Sequence, residues 1–191
     1  MTDRRRGGRP PMLHHDDIVA AAIALIDDEG LDALTMRRLG ARLNVAAMSL
    51  YRHLPSRTAV LAAVVARLAG DAVVPLDDAP PWPEALHRFG TRYRQVLLAH
   101  PRAVPLLATH PVDPDTATTI GAGLFDAAHD ADVDADAAQL AVQSVAVFVL
   151  GHALAQVGIP PGTDAPPPAP TDYYDRWFTA GLTALVHGFT T

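Results

Sequence analysis

Arginine supplies every fixed positive side-chain charge in this chain of 191 residues, and the arginines are unevenly placed. Residues 1–70 hold ten of the fifteen arginines against seven acidic residues, whereas residues 71–191 hold five against fourteen. The first part therefore carries a net charge of +3 and the second −9, although the whole chain is acidic at −6. Guanidinium groups bind phosphate oxygens bidentately. An anionic partner such as nucleic acid would therefore bind to the first seventy residues, and the charge division indicates two tasks on one chain.

The sequence lacks the residues and motifs on which most catalytic mechanisms depend. The chain has no cysteine, which excludes a disulfide framework, a thiolate nucleophile and a cysteine-ligated metal. It has no glycine-rich phosphate loop, no G-x-S-x-G motif and no paired carboxylates in a plausible setting. We therefore predict that the protein is not an enzyme.

Two sets of residues are possible metal ligands, and neither has the required spacing. The alternating aspartates of residues 130–136 lack the glycine and the closing glutamate of a calcium loop. His100, His110 and His152 are scattered and do not form an H-x-x-x-H pattern. We expect no metal site and no cofactor.

The sequence also indicates where the protein works. No run reaches about 18 uninterrupted apolar residues, and the basic N-terminus lacks the apolar stretch of a signal peptide. We expect a soluble cytoplasmic protein.

The elements that must position these residues read as helices throughout. Apolar residues recur at spacings of three and four from Ile18 onward, and no alternating strand pattern occurs. The fold class is therefore predicted to be all-α. Residues 101–114 are expected to be irregular or made of short turns, and the proline-rich residues 160–170 are expected to form an exposed loop. Helices are predicted at about residues 16–29, 35–43, 46–53, 56–71, 84–100, 115–131, 135–157 and 172–189.

Local signals mark the helix boundaries in the first part of the chain. Gly30 is expected to end the first helix in a left-handed conformation, and Asn44 is expected to form a tight turn. Side chains that accept from free backbone N–H groups mark the starts of helices, at Asp16 or Asp17, Thr35 and Ser56.

Three short helices with a tight turn between the second and third match a helix-turn-helix unit. Such a unit places a short helix in the DNA major groove, and small side chains at its start let the backbone approach. The third helix begins with the sequence VAAMS at residues 45–49. We divide the chain into a flexible basic arm (1–14), a helix-turn-helix domain (15–60) and a larger helical domain (61–191).

The same segment resembles a known family. Residues 34–40 (LTMRRLG), 43–45 (LNV) and 49–57 (SLYRHLPSR) resemble the DNA-binding domain of the TetR family of transcriptional repressors. Asn44 stands where the family usually has glycine and serves the same turn. More weakly, the segments around Trp82, residues 148–151 and the C-terminal helix resemble the tetracycline-repressor type of regulatory domain.

The resemblance implies a role for individual residues in DNA binding. Phosphate contacts are implied for Thr35, Tyr51, His53 and Arg57. Contacts to base edges are implied for a second set, namely Arg37, Ala47, Met48, Ser49 and Arg52. Arginine grips guanine bidentately, whereas alanine and methionine offer apolar contact to a thymine methyl. Tyr51 and His53 also have a structural alternative, as a core aromatic and a packed imidazole.

The N-terminal arm adds further arginines, at Arg4, Arg5, Arg6 and Arg9. A flexible arginine arm can enter the narrow minor groove. The alternative is a disordered tail that adds only nonspecific attraction. The sequence leaves both interpretations open.

The resemblance also implies a homodimer and a small, largely apolar effector that releases the protein from operator DNA. The effector pocket is expected among aromatic, aliphatic and amide residues of the larger domain: Phe89, Tyr93, Leu97, Leu106, Leu107, Gln139, Val142, Gln143 and Ala146. Dimer contacts are expected on the last two helices, at Val145, Val149, Leu182, Leu185 and Phe189. The alternative for these helices is a core that lies entirely within one chain.

One feature of the tetracycline repressor is missing. The histidine and glutamate that hold its magnesium align with Leu106 or Leu107 and with Ala155, so magnesium–tetracycline binding is not expected. Two functional alternatives remain: a DNA-binding protein that is constitutive or controlled by a protein partner, and a transcriptional activator.

Overall fold

The structure, a computed structural model, describes residues 13–73, 79–158 and 170–190, and over these residues the chain is all-α with no strand. Two short 3₁₀ turns, Leu31–Ala33 and Pro101–Ala103, supplement the helices. The predicted fold class is confirmed. The helices are α1 (His15–Glu29), α2 (Met36–Arg42), α3 (Ala47–Tyr51), α4 (Arg57–Ala72), α5 (Trp82–Ala99), α6 (Val104–Thr109), α7 (Pro114–Asp130), α8 (Ala135–Val157) and α9 (Thr171–Gly188).

The predicted acceptor at the start of α1 is confirmed, because the Asp17 carboxylate accepts from the backbone N–H of the N-cap residue His14 at 3.1 Å. The predicted end of α1 is wrong in detail. Gly30 has φ 87° but ψ 168°, so it is not in the left-handed helical conformation. Its N–H still closes the helix by donating to the Ile26 carbonyl at 2.7 Å. The positive φ favours glycine at this position.

The other local signals are confirmed. The Thr35 hydroxyl accepts from the Arg38 N–H at 3.2 Å and caps α2, and the Ser56 hydroxyl accepts from the Ala59 N–H at 3.0 Å and caps α4. Asn44 turns the chain between α2 and α3 with φ 55°. These features depend on the chemistry of neighbouring residues, which is why the sequence identified them.

Helix α4 joins the two parts of the chain. Its buried face (Val60, Leu61, Val64, Val65 and Leu68) is in contact with one continuous apolar core. The helix packs against α1 on one side and α5 on the other. The domain boundary drawn at residue 60 therefore falls inside this helix.

The larger part of the chain is built around α5, which packs against α7, α8 and α9. Gly90 allows close approach, because a Cβ built there would lie 2.7 Å from Leu182 and 3.0 Å from Val145. The expectation of irregular structure or short turns over residues 101–114 holds except for α6, a helix of six residues. Pro105 stands in the first turn of α6, where a missing N–H costs no hydrogen bond.

Helix α8 is unusually apolar. Over an 18-residue window its mean hydropathy is 1.7, so by length and composition it could span a membrane, although polar residues interrupt the apolar run. Only 28% of that window is buried within the chain. The face of α8 that no described residue buries is therefore an exposed apolar surface, which is typical of an interaction site.

Candidate nucleic-acid interface and regulatory cleft

The turn between α2 and α3 is held by close backbone packing. The Val45 N–H donates to the Gly40 carbonyl at 2.9 Å. A Cβ built on Gly40 would lie 2.9 Å from the Val45 carbonyl oxygen and 3.3 Å from the Ala47 nitrogen. Glycine is therefore required where α2 and α3 meet, a feature that the sequence reasoning did not single out.

Helix α3 is anchored by one side and exposed on the other. Leu50 is fully buried, whereas Met48 is 73% exposed and Tyr51 is 41% exposed. Arg52 and His53 follow on the same exposed end, and Ala47 and Ser49 are half-buried. The helix thus presents a mixed apolar and cationic surface, as a major-groove reader requires.

The arginines of this region fall into two groups. Arg38 forms an ion pair with Glu29, and Arg42 forms one with Asp28 at 2.6 Å. In contrast, the side chains of Arg37 and Arg52 are exposed and make no ion pair or hydrogen bond to any other residue that the structure describes. Their guanidinium groups are therefore available for base edges or phosphates.

Arg57 has a structural role that the sequence did not reveal. Its Nε donates to the Leu34 carbonyl at 2.7 Å and its Nη2 to the Leu31 carbonyl at 3.2 Å. These bonds fix the segment before α2 to the start of α4. The phosphate contact predicted for Arg57 would have to share a guanidinium that already has two partners. Thr35 is exposed at the start of α2, as a phosphate contact requires.

The arginines of the N-terminal arm, Arg4, Arg5, Arg6 and Arg9, lie outside the described residues.

The five predicted effector residues on α5 and α6 lie in the apolar core or pack against it. Tyr93, Leu97, Leu106 and Leu107 are buried in the core, and Phe89 stacks on Tyr93 with ring centroids 5.9 Å apart. Burial raises the pKa of the Tyr93 hydroxyl to about 12, so it stays protonated at neutral pH.

A cleft of about 460 Å³ lies between α7 and α8, and it includes Gln139, Val142 and Gln143 from the predicted set. Its lining is mostly apolar, with amide, hydroxyl and imidazole groups and no carboxylate or guanidinium. The sequence reasoning missed the α7 side of this cleft, namely Ala117, Thr118, Phe125, Ala128 and His129. Ala146 is half-buried on α8 and does not line the cleft.

A polar cluster joins α5, α8 and α9. The Arg94 guanidinium lies 4.7 Å from the centroid of the Phe178 ring and donates to Asp175 at 2.7 Å and to Gln156 at 3.1 Å. His152 is 2% exposed, and its Nε2 donates to the Tyr174 carbonyl at 3.0 Å. Desolvation by burial lowers the pKa of His152, which favours the neutral imidazole.

The histidines weighed as metal ligands have separate partners. His100 contacts Asp27, His110 contacts Thr109, and His152 contacts the Tyr174 carbonyl. Among the residues described, no group of three histidine or acidic side chains could hold a metal ion. Leu106 and Leu107 are core residues.

Three of the predicted dimer residues are misassigned. Val145, Val149 and Leu182 are fully buried within the single chain, so no surface remains on them for a partner. Leu185 and Phe189 are half-buried. The exposed apolar residues of the same two helices are instead Leu140 (59%) and Val147 (71%) on α8 and Tyr173 (51%) and Trp177 (42%) on α9.

The fold and the exposed short helix define a helix-turn-helix DNA-binding protein. Residues 18–64 match the family model described as bacterial regulatory proteins, tetR family. An HTH-type transcriptional regulator of Saccharopolyspora erythraea is 35% identical over 91 residues, which are 48% of this chain and 39% of that protein. The chain thus spans less than half the length of this relative.

Solved structures match over nearly the whole chain. BioQ of Mycobacterium smegmatis is 30% identical, with 93% of this chain and 98% of that chain covered and a TM-score of 0.70. A TetR variant of Acinetobacter baumannii AYE in complex with minocycline is 26% identical, with coverage of 93% and 97% and a TM-score of 0.75. BioQ with its double-stranded DNA operator is 30% identical, with coverage of 93% and 98% and a TM-score of 0.67.

This chain therefore belongs to the TetR family of bacterial regulatory proteins and is a DNA-binding transcriptional regulator. The regulators of this family are generally not enzymes.

Proposed function

We propose that the protein is a cytoplasmic homodimeric repressor that leaves its operator when a small, largely apolar molecule binds in the cleft between α7 and α8. The observation that carries the DNA part is the exposure of Met48 and Arg52 at α3 and of Arg37 on α2, whose guanidinium group pairs with no residue that the structure describes. The structural relatives bound to operator DNA and to minocycline support the same two activities.

Major-groove contacts by Arg37 and Arg52 fit the observation that neither guanidinium group has a partner among the residues that the structure describes. Loss of a phosphate contact weakens binding to every DNA sequence. Loss of a base contact instead reduces the difference in affinity between specific and nonspecific DNA. A bidentate arginine–guanine contact is worth roughly 1–3 kcal/mol, or about 5- to 150-fold in discrimination.

The test uses a duplex selected by the purified protein from random DNA, with affinity measured by fluorescence anisotropy at several salt concentrations. Arg37→Ala or Arg52→Ala is expected to weaken binding to the selected duplex by at least about tenfold and binding to random duplex less. Arg67→Ala is the matched control, because Arg67 is paired with Asp71 at 3.0 Å within α4. Failure of the unaltered protein to select any duplex would refute the proposal.

The composition of the cleft supports one class of effector. A volume of about 460 Å³ suits a small molecule, and the lining without fixed charge favours a neutral one. Gln139, Gln143, Thr118 and His129 supply hydrogen-bonding groups around an apolar surface. The proposed effector is therefore a neutral, mainly apolar molecule with a few polar groups.

A thermal-shift screen of neutral apolar compounds tests this assignment. Ala117→Trp places an indole in the cleft from an exposed position and should reduce the affinity for any hit by at least about tenfold. Ala122→Trp, at an exposed position of α7 that does not line the cleft, should leave that affinity unchanged. Equal binding by both variants would place the effector elsewhere, and hits that leave DNA affinity unchanged would contradict release.

A second copy of the chain is proposed to cover α8 and α9. Leu140 and Val147 are seven residues apart on the exposed face of α8. A groove of about 570 Å³ lies between the two helices, lined by Val147, Phe148, Gly181 and Leu185 among others. An apolar surface on both helices fits a self-complementary interface, since a twofold axis brings the same surface of each copy together.

Val147→Glu places a charge in that interface and is expected to shift the protein to monomer in analytical ultracentrifugation. Met48→Glu is the matched control, because Met48 is equally exposed, at 73%, but lies on α3. This control should stay dimeric while losing operator affinity. A dimeric Val147→Glu variant would contradict the proposed interface.

A further inference from the structure

At the C-terminal end of α1, side chains of the regulatory part contact the DNA-binding part. The Arg102 Nη1 donates to the Asp27 carbonyl at 3.0 Å and also to the Asp28 carbonyl. The His100 Nδ1 lies 2.8 Å from the Asp27 carboxylate. Both side chains come from the turn between α5 and α6. Arg102 thereby satisfies two carbonyls that the end of a helix leaves without intrahelical partners, whereas His100 contacts a side-chain carboxylate.

Asp28 and Glu29, at the end of α1, also contact α2 of the helix-turn-helix. Asp28 pairs with Arg42 at 2.6 Å, and Glu29 pairs with Arg38. Both arginines belong to α2, whose Gly40 is in close backbone contact with the start of α3. Three consecutive residues, Asp27–Glu29, therefore connect the regulatory turn to the helix that supports the recognition helix.

This connection differs from the covalent one through α4. The His100 and Arg102 contacts join residues 73 to 75 positions apart in the sequence, directly between the turn and α1. A second polar contact, from the Arg92 Nε to the Asp71 carbonyl at 3.1 Å, joins α5 to the far end of α4. The two routes are separate and can be cut one at a time.

We propose that Asp27, Asp28 and Glu29 form the joint that transmits movement between the regulatory part and α2, with His100 and Arg102 as positioning residues. This inference rests on the proposed function, because it names how that regulation reaches the DNA. Exposed ion pairs are individually weak and easily rearranged. Weak contacts suffice here, because a typical allosteric coupling changes affinity by about 5- to 150-fold.

Coupling is reciprocal, so operator DNA can serve as the probe and no effector is needed. The measurement is hydrogen exchange of the full-length protein with and without the selected duplex. In the unaltered protein, operator binding should change the exchange rate of amides in residues 100–109 by at least about fivefold. In Arg102→Gln, the same amides should change by less than about twofold while operator binding itself persists.

Arg92→Gln is the matched control, because it removes the same charge and also breaks a bond to a backbone carbonyl, that of Asp71 at the end of α4. It should keep the response of residues 100–109. Asp28→Asn removes the ion pair with Arg42 of α2 at an exposed carboxylate and is not expected to affect folding. This variant should therefore lose the response, as Arg102→Gln does.

Three results would overturn the joint. The first is a full response in Arg102→Gln or in Asp28→Asn, and the second is a response lost only in Arg92→Gln. The third is the absence of any response at residues 100–109 in the unaltered protein when it binds the duplex. A protein that selects no duplex fails the proposed function instead, so the two failures are distinguishable.

Discussion

Replacing Gly40 by alanine tests whether the α2–α3 junction is as tight as the structure shows. The new Cβ would lie 2.9 Å from the Val45 carbonyl oxygen, whereas ordinary contact begins at 3.4 Å. The start of α3 must therefore retreat by about 0.5 Å, because the opposing atoms are backbone and cannot rotate away. Overpacking of this kind costs about 1–3 kcal/mol, and alanine returns about 0.5–1 kcal/mol through its helix propensity.

The free energy of unfolding should therefore fall by a net amount of up to about 2.5 kcal/mol, with a midpoint of about 1.3 kcal/mol, in urea titrations. Operator affinity should fall by about tenfold as well, since a displaced recognition helix loses base contacts worth about 1.4 kcal/mol. Gly123→Ala is the control, because Gly123 lies in the middle of α7 and a Cβ there meets nothing within 4 Å. That variant should be unchanged or more stable. A Gly40→Ala protein as stable as the Gly123→Ala protein would refute the close-packing argument.

Two further substitutions test side chains whose roles the structure assigns. Arg57→Gln removes two bonds to backbone carbonyls and should lower the free energy of unfolding by about 1–2 kcal/mol. Arg67→Gln removes an exposed pair and should cost less than about 1 kcal/mol, so equal costs in urea titrations would contradict the assignment. The lowered pKa of His152 means that the unfolded chain binds a proton more readily. The contribution of neutral His152 to the free energy of unfolding is therefore fully present above the ordinary pKa of 6.5 and is lost as the pH falls below it. His152→Gln should flatten this loss in urea titrations from pH 7.5 to 5, whereas the exposed His87→Gln should not, and an unchanged slope in His152→Gln would show that another group is responsible.

The sequence predicted the helix-turn-helix well because its signals are local. Thr35 and Ser56 cap the helices that follow them, and Asn44 turns the chain, through groups at most three residues away. The role of Arg57 was not visible in the same way. Its carbonyl partners lie 23 and 26 residues earlier, so nothing beside Arg57 in the sequence announces them.

The prediction for residues 101–114 did not include helix α6, for a related reason. Proline ends a helix when it stands in the interior but is tolerated in the first turn. Which case applies to Pro105 depends on where the helix starts. That start is fixed by burial of Val104, Leu106 and Leu107, which is a tertiary property.

The sequence by itself determined the family, the all-α class and the division between a basic DNA-binding part and an acidic regulatory part, since these follow from local motifs, apolar periodicity and charge. Only the tertiary structure decided which faces of α8 and α9 remain free and which residues line the cleft. Helix α8 is apolar almost all round, so its sequence does not mark an inner side. Packing against α5 and α9 buries Val145 and Val149, leaves Leu140 and Val147 exposed, and so selects the surface that a partner can use.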